Sequence, residues 1–569
     1  MLRNSLLAAL TLTLPLSSSS SQTPTDHQEH LSILDGPVKT IAIIGAGAAG
    51  SSAAYHLSQY ASMAGITTNI TVFERSAYVG GRSTTVHAWD DPLQPVELGA
   101  SIFVKVNHIL MEAVQRFNLT VATPDLGLTK TNAATDDKEE EQDDDDDDGD
   151  YVGIWNGREF VFRGDDELGW WDTLKMLWKY GLAPIRTKRL MSQTVGQFLK
   201  MYEEPHFPWR SLTDKAMELG LVRPVAMTGE AFLKENGAGG LFAEEVVQAS
   251  TRVNYAQNLP LINGLITMVC MATDGAKSVP GGNWRIFSSF LSSTPNLSTR
   301  LNTSVSALTK QSDSTYTLIP KTTSDQTLAP EHFDTVILAA PYHQSNITLT
   351  PKPEQEPADL PFVTLHVTLL SSPHRLSPSY FALTPADGPV PSVVLTTLPP
   401  DVRPDGPKDR QFAGPAGFFS ISTLRRATNP HTGRREYLYK IFSPKPADDA
   451  WLSRLFDLPP PPVDEGISER DVSWIYRKVW QSYPYESPRV SFDDVCLDGC
   501  DRGGAGGGLW YTGGIEGFIS TMETSALMGR NVAKLIVDGW VEGKGARVVN
   551  VDGDAAAEAG TEGEGGKEL

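Results

Sequence analysis

Residues 40–50 read TIAIIGAGAAG, an apolar run followed by a glycine-rich turn. The run at 40–44 is short and mostly β-branched, as expected for a buried parallel strand. Gly45, Gly47 and Gly50 then have the spacing G-x-G-x-x-G, and residues 51–60 are predicted to be helical. Strand, glycine turn and helix in this order predict the first unit of a dinucleotide-binding fold.

The next residues extend this unit. A second strand is predicted at 69–73, and it ends at Glu74, 24 residues after Gly50. In such a site Gly45 permits the tight turn, Gly47 lets the backbone approach a pyrophosphate, and Gly50 lets helix and strand pack closely. The helix N-terminus then faces the phosphates. We expect Glu74 to accept hydrogen bonds from a ribose diol.

Four later segments resemble the FAD-binding segments of glutathione-reductase-type and amine-oxidase-type flavoproteins. Residues 74–83 (ERSAYVGGRS) contain a second glycine pair and an arginine, which in those families lies near the pyrophosphate. Residues 97–101 (ELGAS) resemble the segment that passes the flavin ring, and residues 301–305 (LNTSV) resemble the strand whose valine backbone meets the adenine. Residues 334–341 (DTVILAAP) resemble the strand that returns to the cofactor.

A glycine-rich turn near the C-terminus completes this series. Residues 513–517 (GGIEG) are expected to open a helix running to about Val537. Its N-terminus would stabilise negative charge on the pyrimidine edge of a flavin. The resemblance implies FAD as the cofactor, rather than NAD(P) alone. The expected cofactor-binding residues are Gly45, Ala46, Gly47, Ala48, Ala49, Gly50, Glu74, Arg75, Gly81, Arg82, Gly99, Ala100, Ser101, Val305, Gly514 and Ile515.

A narrower resemblance comes from four segments: 97–103 (ELGASIF), 279–283 (VPGGN), 480–484 (WQSYP) and 509–533 (LWYTGGIEGFISTMETSALMGRNVA). Together they resemble the prenylcysteine oxidases, also called prenylcysteine lyases, from about Thr40 to Trp540. The acidic residues 136–150 and the glycine-rich residues 503–508 depart from the family pattern.

The resemblance implies an oxidase of farnesylcysteine or geranylgeranylcysteine. The thioether carbon beside the allylic double bond would lose a hydride to the flavin, and water would add to the resulting cation. Collapse of the resulting hemithioacetal would release cysteine and a prenyl aldehyde. Dioxygen would reoxidise the flavin and be reduced to hydrogen peroxide. Sulfur and alkene stabilise the cation, so no catalytic acid or base is assigned. Glu516 is the nearest candidate carboxylate, with capping or ribityl contact favoured over proton transfer.

Three other functions remain open at this point. One is another flavin oxidase of the amine-oxidase group, whose amine sites usually have an aromatic pair facing the flavin. The second is a C–S-cleaving or dehydrogenating enzyme with a changed substrate. The third is a lipid-binding carrier that retains FAD without turnover.

We predict an α/β architecture with two discontinuous lobes. A Rossmann-type, three-layer FAD-binding lobe would be assembled from residues 38–105, 276–345 and 490–545. An α+β substrate lobe would come from residues 106–275 and 346–489. Residues 170–180 (WWDTLKMLWKY) have helical apolar spacing and precede basic residues. We favour an amphipathic helix packed on the core, with a transient membrane-surface contact as the alternative.

The net charge of −21 is concentrated in two segments. Residues 136–150 carry −11 and residues 551–569 carry −5, which leaves −5 over the other 535 residues. We expect a solvated insert at 136–150 and a mobile tail at 546–569. Without a basic domain or stripe, a nucleic-acid partner is not expected. The histidines have no metal-ligand spacing, so no metal is expected either.

The N-terminal residues 1–21 read as a secretory signal peptide, with Arg3, an apolar core and a serine run. Sequons for N-glycosylation begin at Asn69, Asn118, Asn296, Asn302 and Asn346. We therefore expect the secretory pathway, with the lysosome or vacuole and the extracellular space as destinations. Cys496 and Cys500 could pair across a turn-prone spacer. Cys270 is expected to be an inert core thiol.

Overall fold

The computed structural model describes residues 38–123, 151–165, 178–462, 465–500 and 507–557. The predicted signal peptide, the acidic insert and most of residues 170–180 lie outside these ranges, as does the tail beyond residue 557. All elements given below belong to the unit that begins at Val38.

The described residues form 19 strands and 11 α-helices, whose bounds are as follows. The strands are β1 (Lys39–Ile44), β2 (Thr68–Phe73), β3 (Thr85–His87), β4 (Pro95–Glu97), β5 (Tyr151–Trp155), β6 (Phe160–Asp165), β7 (Leu297–Arg300), β8 (Thr303–Lys310), β9 (Tyr316–Thr322), β10 (Glu331–Phe333), β11 (Thr335–Leu338), β12 (Thr348–Thr350), β13 (Phe362–Ser372), β14 (Val393–Thr396), β15 (Ser420–Thr428), β16 (Arg435–Ser443), β17 (Trp474–Pro484), β18 (Cys496–Asp498) and β19 (Gly508–Tyr511). The α-helices are α1 (Ala48–Met63), α2 (His108–Arg116), α3 (Ala183–Leu199), α4 (Leu212–Glu218), α5 (Val222–Ala226), α6 (Gly229–Glu235), α7 (Gln248–Tyr255), α8 (Gly264–Cys270), α9 (Trp284–Ser292), α10 (Asp449–Leu455) and α11 (Met522–Ala557).

A six-stranded sheet in the order β18-β19-β11-β1-β2-β7 forms the middle of a three-layer arrangement. The strands β19, β11, β1, β2 and β7 are parallel, and β18 is antiparallel to β19. Alternate residues of β1 face opposite layers. Ile41 and Ile43 pack towards α1 and α11, whereas Ala42 and Ile44 pack towards the sheet β10-β9-β8-β12. The α/β, three-layer prediction is confirmed.

The helices α1 and α11 cross at very short distance because small residues face each other. A Cβ atom on Gly529 would lie 2.2 Å from the backbone oxygen of Ala49. At the same crossing, the Ser52 hydroxyl donates to the backbone oxygen of Ala526 over 2.6 Å. The crossing joins the first and last parts of the chain beneath the sheet, which holds the N-terminus of α1 in place.

A seven-stranded sheet occupies much of the region where the sequence shows little periodicity. Its order is β17-β13-β16-β15-β14-β5-β6, and β14 and β5 are its parallel pair. In β16, Tyr439 and Ile441 pack against the layer that contains α10. Lys440 and Phe442 point to the other face, because successive side chains of a strand alternate. That other face borders the cavity described below.

Several boundaries differ from the predicted ones. The last helix continues to Ala557, past the expected end near Val537 and into the predicted mobile tail. The apolar run at 259–272 predicts a buried helix, and the helix α8 found there begins only at Gly264, where the Asn263 side chain accepts from the Ile266 amide. Although it lies in the segment predicted for the substrate lobe, α2 packs against α11 and α9. Among the described residues, no helix is long and apolar enough to cross a membrane.

Candidate active site

The glycine turn forms one end of a large cavity. The Gly45 amide donates to the backbone oxygen of Phe73 over 2.8 Å, which ties the turn to the end of β2. A Cβ atom on Gly50 would lie only 1.9 Å from the Gly45 oxygen. Gly47 precedes α1, and no side chain caps this helix N-terminus. The amides of the first turn of α1 therefore face the cavity without a competing side-chain acceptor.

Glu74 is held rigidly beside this turn. Its buried carboxylate accepts from the amides of Ala46 and Ser76, each over 2.8 Å. The residue lines the cavity together with Arg75 and Val305. Because a carboxylate can accept about four hydrogen bonds, Glu74 can still accept one from a ribose hydroxyl in addition to the two from backbone amides.

Arg82 and Glu516 form an ion pair in the middle of the cavity wall. The Arg82 Nη2 atom lies 2.6 Å from Glu516 Oε1, and Nη1 donates to the backbone oxygen of Ser482 over 2.5 Å. Burial disfavours the charged guanidinium, but Glu516 outweighs this effect and raises the pKa of Arg82. The sequence separation of 434 residues explains why this pair was missed. One carboxylate oxygen of Glu516, Oε1, is thus engaged by a cation.

The helix predicted to open at Gly513 begins later. Residues Gly513–Gly517 form a 3-10 turn, and α11 begins at Met522. The Thr521 hydroxyl accepts from the Thr524 amide over 3.1 Å, which caps the helix there. This Thr-x-x-Thr spacing was the sequence signal for the true start. Gly514 and Ile515 are buried and are not part of the cavity lining, so their contact with the cofactor stays a prediction.

Most other predicted cofactor residues meet around this cavity, whose volume is about 1420 Å³. Those on its lining are Gly45, Gly47, Ala48, Ala49, Glu74, Arg75, Gly81, Arg82, Gly99, Ala100, Ser101, Val305 and Glu516. Ala46 and Gly50 lie behind the turn, where they support Glu74 and the helix–strand contact. The first turn of α11 also reaches the lining, through Thr521, Met522 and Ser525.

The far end of the cavity is apolar. It is lined by one face of the seven-stranded sheet, whose aliphatic and aromatic side chains there are Val152, Ile154, Phe162, Leu365, Val367, Val393, Leu395, Leu424 and Phe442. These residues occur at alternate positions along their strands, so a single sheet face supplies them. The cavity therefore joins a polar, glycine-rich end to an apolar end without interruption.

Sequence reasoning missed two further features of this lining. Tyr255 and Tyr483 bring their ring centroids within 5.0 Å of each other, and both line the cavity. Lys440 on β16 donates to the Ser101 hydroxyl over 2.8 Å. A lysine on the inward side of the apolar strand REYLYKIFS was the available signal for the second feature. No comparable signal links Tyr255 to Tyr483, because they lie far apart in the chain.

A flavin dinucleotide fits these residues on two structural grounds. A Cβ atom on Gly47 would lie 3.9 Å from the Gly81 Cα atom, so only backbone fills the space between the two glycines. Glu516 Oε2 is buried and has no hydrogen-bond partner in the described part of the chain, which leaves an acceptor for a ligand hydroxyl. Among the described residues, no group of histidine, cysteine and acidic side chains could hold a metal ion.

Comparisons with known proteins agree on one family. The family model described as prenylcysteine lyase matches residues 164–548, and a model for an NAD(P)-binding Rossmann-like domain matches residues 43–117. Farnesylcysteine lyase of Arabidopsis thaliana is 29% identical over 521 residues, covering 88% of this chain and 89% of that protein. Prenylcysteine oxidase 1 of Homo sapiens is 27% identical over 526 residues, covering 89% and 90%.

A solved structure shares the fold. It is that of a protein from Exiguobacterium described as a protoporphyrinogen oxidase, with a TM-score of 0.50 and 13% identity. The match covers 88% of this chain and 98% of that one. At this identity the likeness concerns the fold alone.

Proposed function

Because the chain belongs to the prenylcysteine lyase family, we propose that it is an FAD-dependent oxidase that cleaves farnesylcysteine and geranylgeranylcysteine. Relatives named farnesylcysteine lyase and prenylcysteine oxidase align over almost 90% of the chain. The observation that carries the proposal is the single cavity that joins a dinucleotide-binding turn to an apolar sheet face. A substrate with a thioether near the flavin and a long apolar chain matches that arrangement.

The residues at the polar end would hold the cofactor. The first turn of α1 would bind the pyrophosphate, and Glu74 a ribose. Glu516 would accept from a ribityl hydroxyl while Arg82 holds its other oxygen. When bound, the flavin supplies hydride acceptance from carbon and electron transfer to dioxygen. The overall reaction consumes prenylcysteine, dioxygen and water, and yields cysteine, a prenyl aldehyde and hydrogen peroxide.

The apolar end contributes binding and orientation. Each CH₂ group of a prenyl chain buried against the sheet face contributes about 0.8 kcal/mol. Chain burial also excludes water from most of the cavity, so water reaches the reacting carbon only near the polar end. Sulfur and the allylic double bond stabilise positive charge on that carbon, so the chain needs to position the substrate more than to remove a proton.

The experiment begins with the visible spectrum of the purified protein. We expect flavin absorbance, bleaching by farnesylcysteine without oxygen, and formation of peroxide, cysteine and farnesal in air. Absence of flavin absorbance would refute the cofactor. Bound flavin without bleaching would instead support the lipid-binding carrier.

One structural feature supports testing amines in the same experiment. Tyr255 and Tyr483 form an aromatic pair on the cavity lining, the arrangement expected of an oxidase from the amine-oxidase group. We expect farnesylamine and benzylamine to leave the flavin oxidised. If an amine bleaches the flavin and farnesylcysteine does not, the protein is an amine oxidase and the proposed substrate is wrong.

We also propose that the chain enters the secretory pathway and reaches the lysosome or vacuole, or the extracellular space. Two observations support this location. Cys496 and Cys500 form a disulfide, which persists in oxidising compartments. The five sequon asparagines are all exposed and accessible to glycosylation: Asn69, Asn118, Asn296, Asn302 and Asn346. Glycosidase treatment of the protein from secreting cells should lower its mass; an unchanged mass would contradict glycosylation.

We propose in addition a transient contact between residues 178–185 and an anionic membrane surface. Trp178 is 91% exposed, and Leu182 and Ile185 are each 57% exposed. Arg186 and Arg189 follow on the exposed side of α3, as an interfacial segment requires. Sedimentation with phosphatidylserine vesicles should fall on Trp178→Ala; equal sedimentation of both proteins would refute the contact.

A further inference from the structure

Lys440 is a buried cation on an otherwise uncharged part of the cavity wall. The residues of β5, β6 and β13–β16 that line the cavity are aliphatic, aromatic, glycine or serine apart from this one. In the register of the sheet, Lys440 lies between Leu369 on β13 and Ser422 on β15. The residue is only 7% exposed. Removing an ammonium group from water is unfavourable unless a partner compensates the charge.

The protein compensates this charge incompletely. Nζ has one hydrogen-bond partner among the described residues, the Ser101 hydroxyl at 2.8 Å, and lies 5.1 Å from the centroid of the Phe442 ring. An ammonium group has three donors, so hydrogen bonds within the protein use only one of them. Glu97 interacts with it electrostatically but not within ion-pair distance, and its Oε1 atom accepts from the Asn283 amide over 2.6 Å. Burial lowers the pKa of Lys440 to about 8, and Glu97 opposes this shift. The ammonium group thus has donors that the described residues do not use.

We propose that Lys440 binds the carboxylate at the amino-acid end of the substrate and so selects cysteine thioethers over other prenyl compounds. This inference rests on the proposed function. Carboxylate and ammonium groups form charge-assisted hydrogen bonds, and such a bond would satisfy the donors that the protein leaves unused. Only the sulfur and two carbons separate the carboxylate from the reacting carbon. An anchor beside Ser101, in the segment expected to pass the flavin ring, would therefore fix that carbon near the ring.

Two other cations on the lining, Arg82 and Lys478, are less suited to this task. Arg82 is already paired with Glu516. Lys478 on β17 is only half-buried. A strong carboxylate anchor needs a desolvated cation with free donors, because solvent weakens exposed pairs.

The test compares ligands with and without the carboxylate. S-dodecylcysteine and S-dodecylcysteamine lack an allylic double bond, so we expect both to bind without being oxidised. Calorimetric dissociation constants would be measured for the wild-type holoenzyme and for Lys440→Met and Lys440→Gln. We expect either variant to weaken dodecylcysteine binding by at least about tenfold and dodecylcysteamine binding by less than about threefold. Lys440→Arg should retain most of the preference.

The control is Lys445→Met, which removes a charge from the exposed loop after β16. It should change neither dissociation constant. Equal weakening of both ligands by Lys440→Met would assign the lysine a structural role and overturn the proposal, as would no weakening of either. If Lys440→Met does not fold, Lys440→Gln and the wild-type preference between the ligands decide the question.

The outcome is separable from that of the proposed function. Failure of wild-type protein to oxidise farnesylcysteine refutes the oxidase, whatever the binding data show. Oxidation of farnesylcysteine with identical binding of both dodecyl ligands refutes the Lys440 anchor alone.

Discussion

Gly47 and Gly50 lie in the same turn but are constrained by different neighbours. The space beside Gly50 is filled by the backbone of Gly45, at 1.9 Å from an added Cβ atom. Gly47 has only Gly81 nearby, at 3.9 Å, and it lines the cavity. Folding therefore requires a glycine at position 50, whereas the ligand requires one at position 47.

We therefore predict different failures for substitutions at these positions. Gly50→Ala should lower the free energy of unfolding by about 3 kcal/mol or more, because backbone cannot move aside. Gly47→Val should keep the wild-type unfolding temperature without cofactor and lose flavin affinity by at least about tenfold. Thermal unfolding and bound-flavin absorbance measure the two effects.

The control for these variants is Gly196→Ala, on the exposed side of α3 with no atom near the added methyl group. It should be neutral or slightly stabilising. Full flavin content in Gly47→Val, or wild-type stability in Gly50→Ala, would contradict the assignment of the two roles.

At the scale of elements, a carboxylate joins the first turns of two helices. Glu523 on α11 accepts from the Ile109 and Leu110 amides of α2 over 2.9 and 3.0 Å. Burial raises the pKa of Glu523 to about 7 despite these bonds. The carboxylate supplies the missing partners of a helix N-terminus, at the cost of a buried ionisable group.

This pKa predicts a pH-dependent stability. Between about pH 4.5 and pH 7 the folded protein keeps a proton that the unfolded chain has released. The contribution of Glu523 to stability is therefore most favourable below this window and declines as pH rises through it. In urea unfolding from pH 5 to pH 8, the free energy of unfolding of Glu523→Gln should rise relative to that of wild type as pH rises.

The matched control is Glu542→Gln, an exposed acid on the same helix. Its unfolding free energy should run parallel to that of wild type across this range. A parallel curve for Glu523→Gln would show that burial does not shift this carboxyl group as described.

At the scale of the whole molecule, Arg252 connects the helical layer to the seven-stranded sheet. It is fully buried on α7 and donates to Thr396 Oγ1, Asn258 Oδ1 and three backbone oxygens of residues 412–418. Burial lowers the pKa of Arg252 to about 9. Backbone and side-chain oxygens, rather than a carboxylate, compensate its charge.

We predict that Arg252→Met lowers the free energy of unfolding by about 3 kcal/mol or more, because several buried oxygens lose their donors. Chemical unfolding followed by fluorescence measures the loss. Arg435→Met, at an exposed position of β16 in the same sheet, should change stability by less than about 0.5 kcal/mol. If the two variants unfold at the same denaturant concentration, this role of Arg252 is contradicted.

The parts predictable from sequence were those set by local spacing. The glycines at 45, 47 and 50 and the acid at 74 follow from the geometry of a strand, a turn and a helix, and the structure brings them together as expected. The start of α11 was misplaced because the glycines at 513–517 form a 3-10 turn and Thr521 supplies the cap. Both the glycines and the Thr521 cap are local signals. The cap is the less conspicuous of the two in the sequence, but it sets the start of the helix.

The sequence by itself determined the dinucleotide-binding unit, the three-layer α/β fold and the resemblance to one family. These depend on residues close together in the chain. Only the tertiary structure decided that Arg82 faces Glu516, that Tyr255 meets Tyr483, and that Lys440 lies beside Ser101. Each of these pairs spans more than 200 residues, and its contact depends on sheet register and packing of distant segments. Short-range periodicity carries no information about such contacts, because it specifies which face a side chain occupies but not what lies opposite.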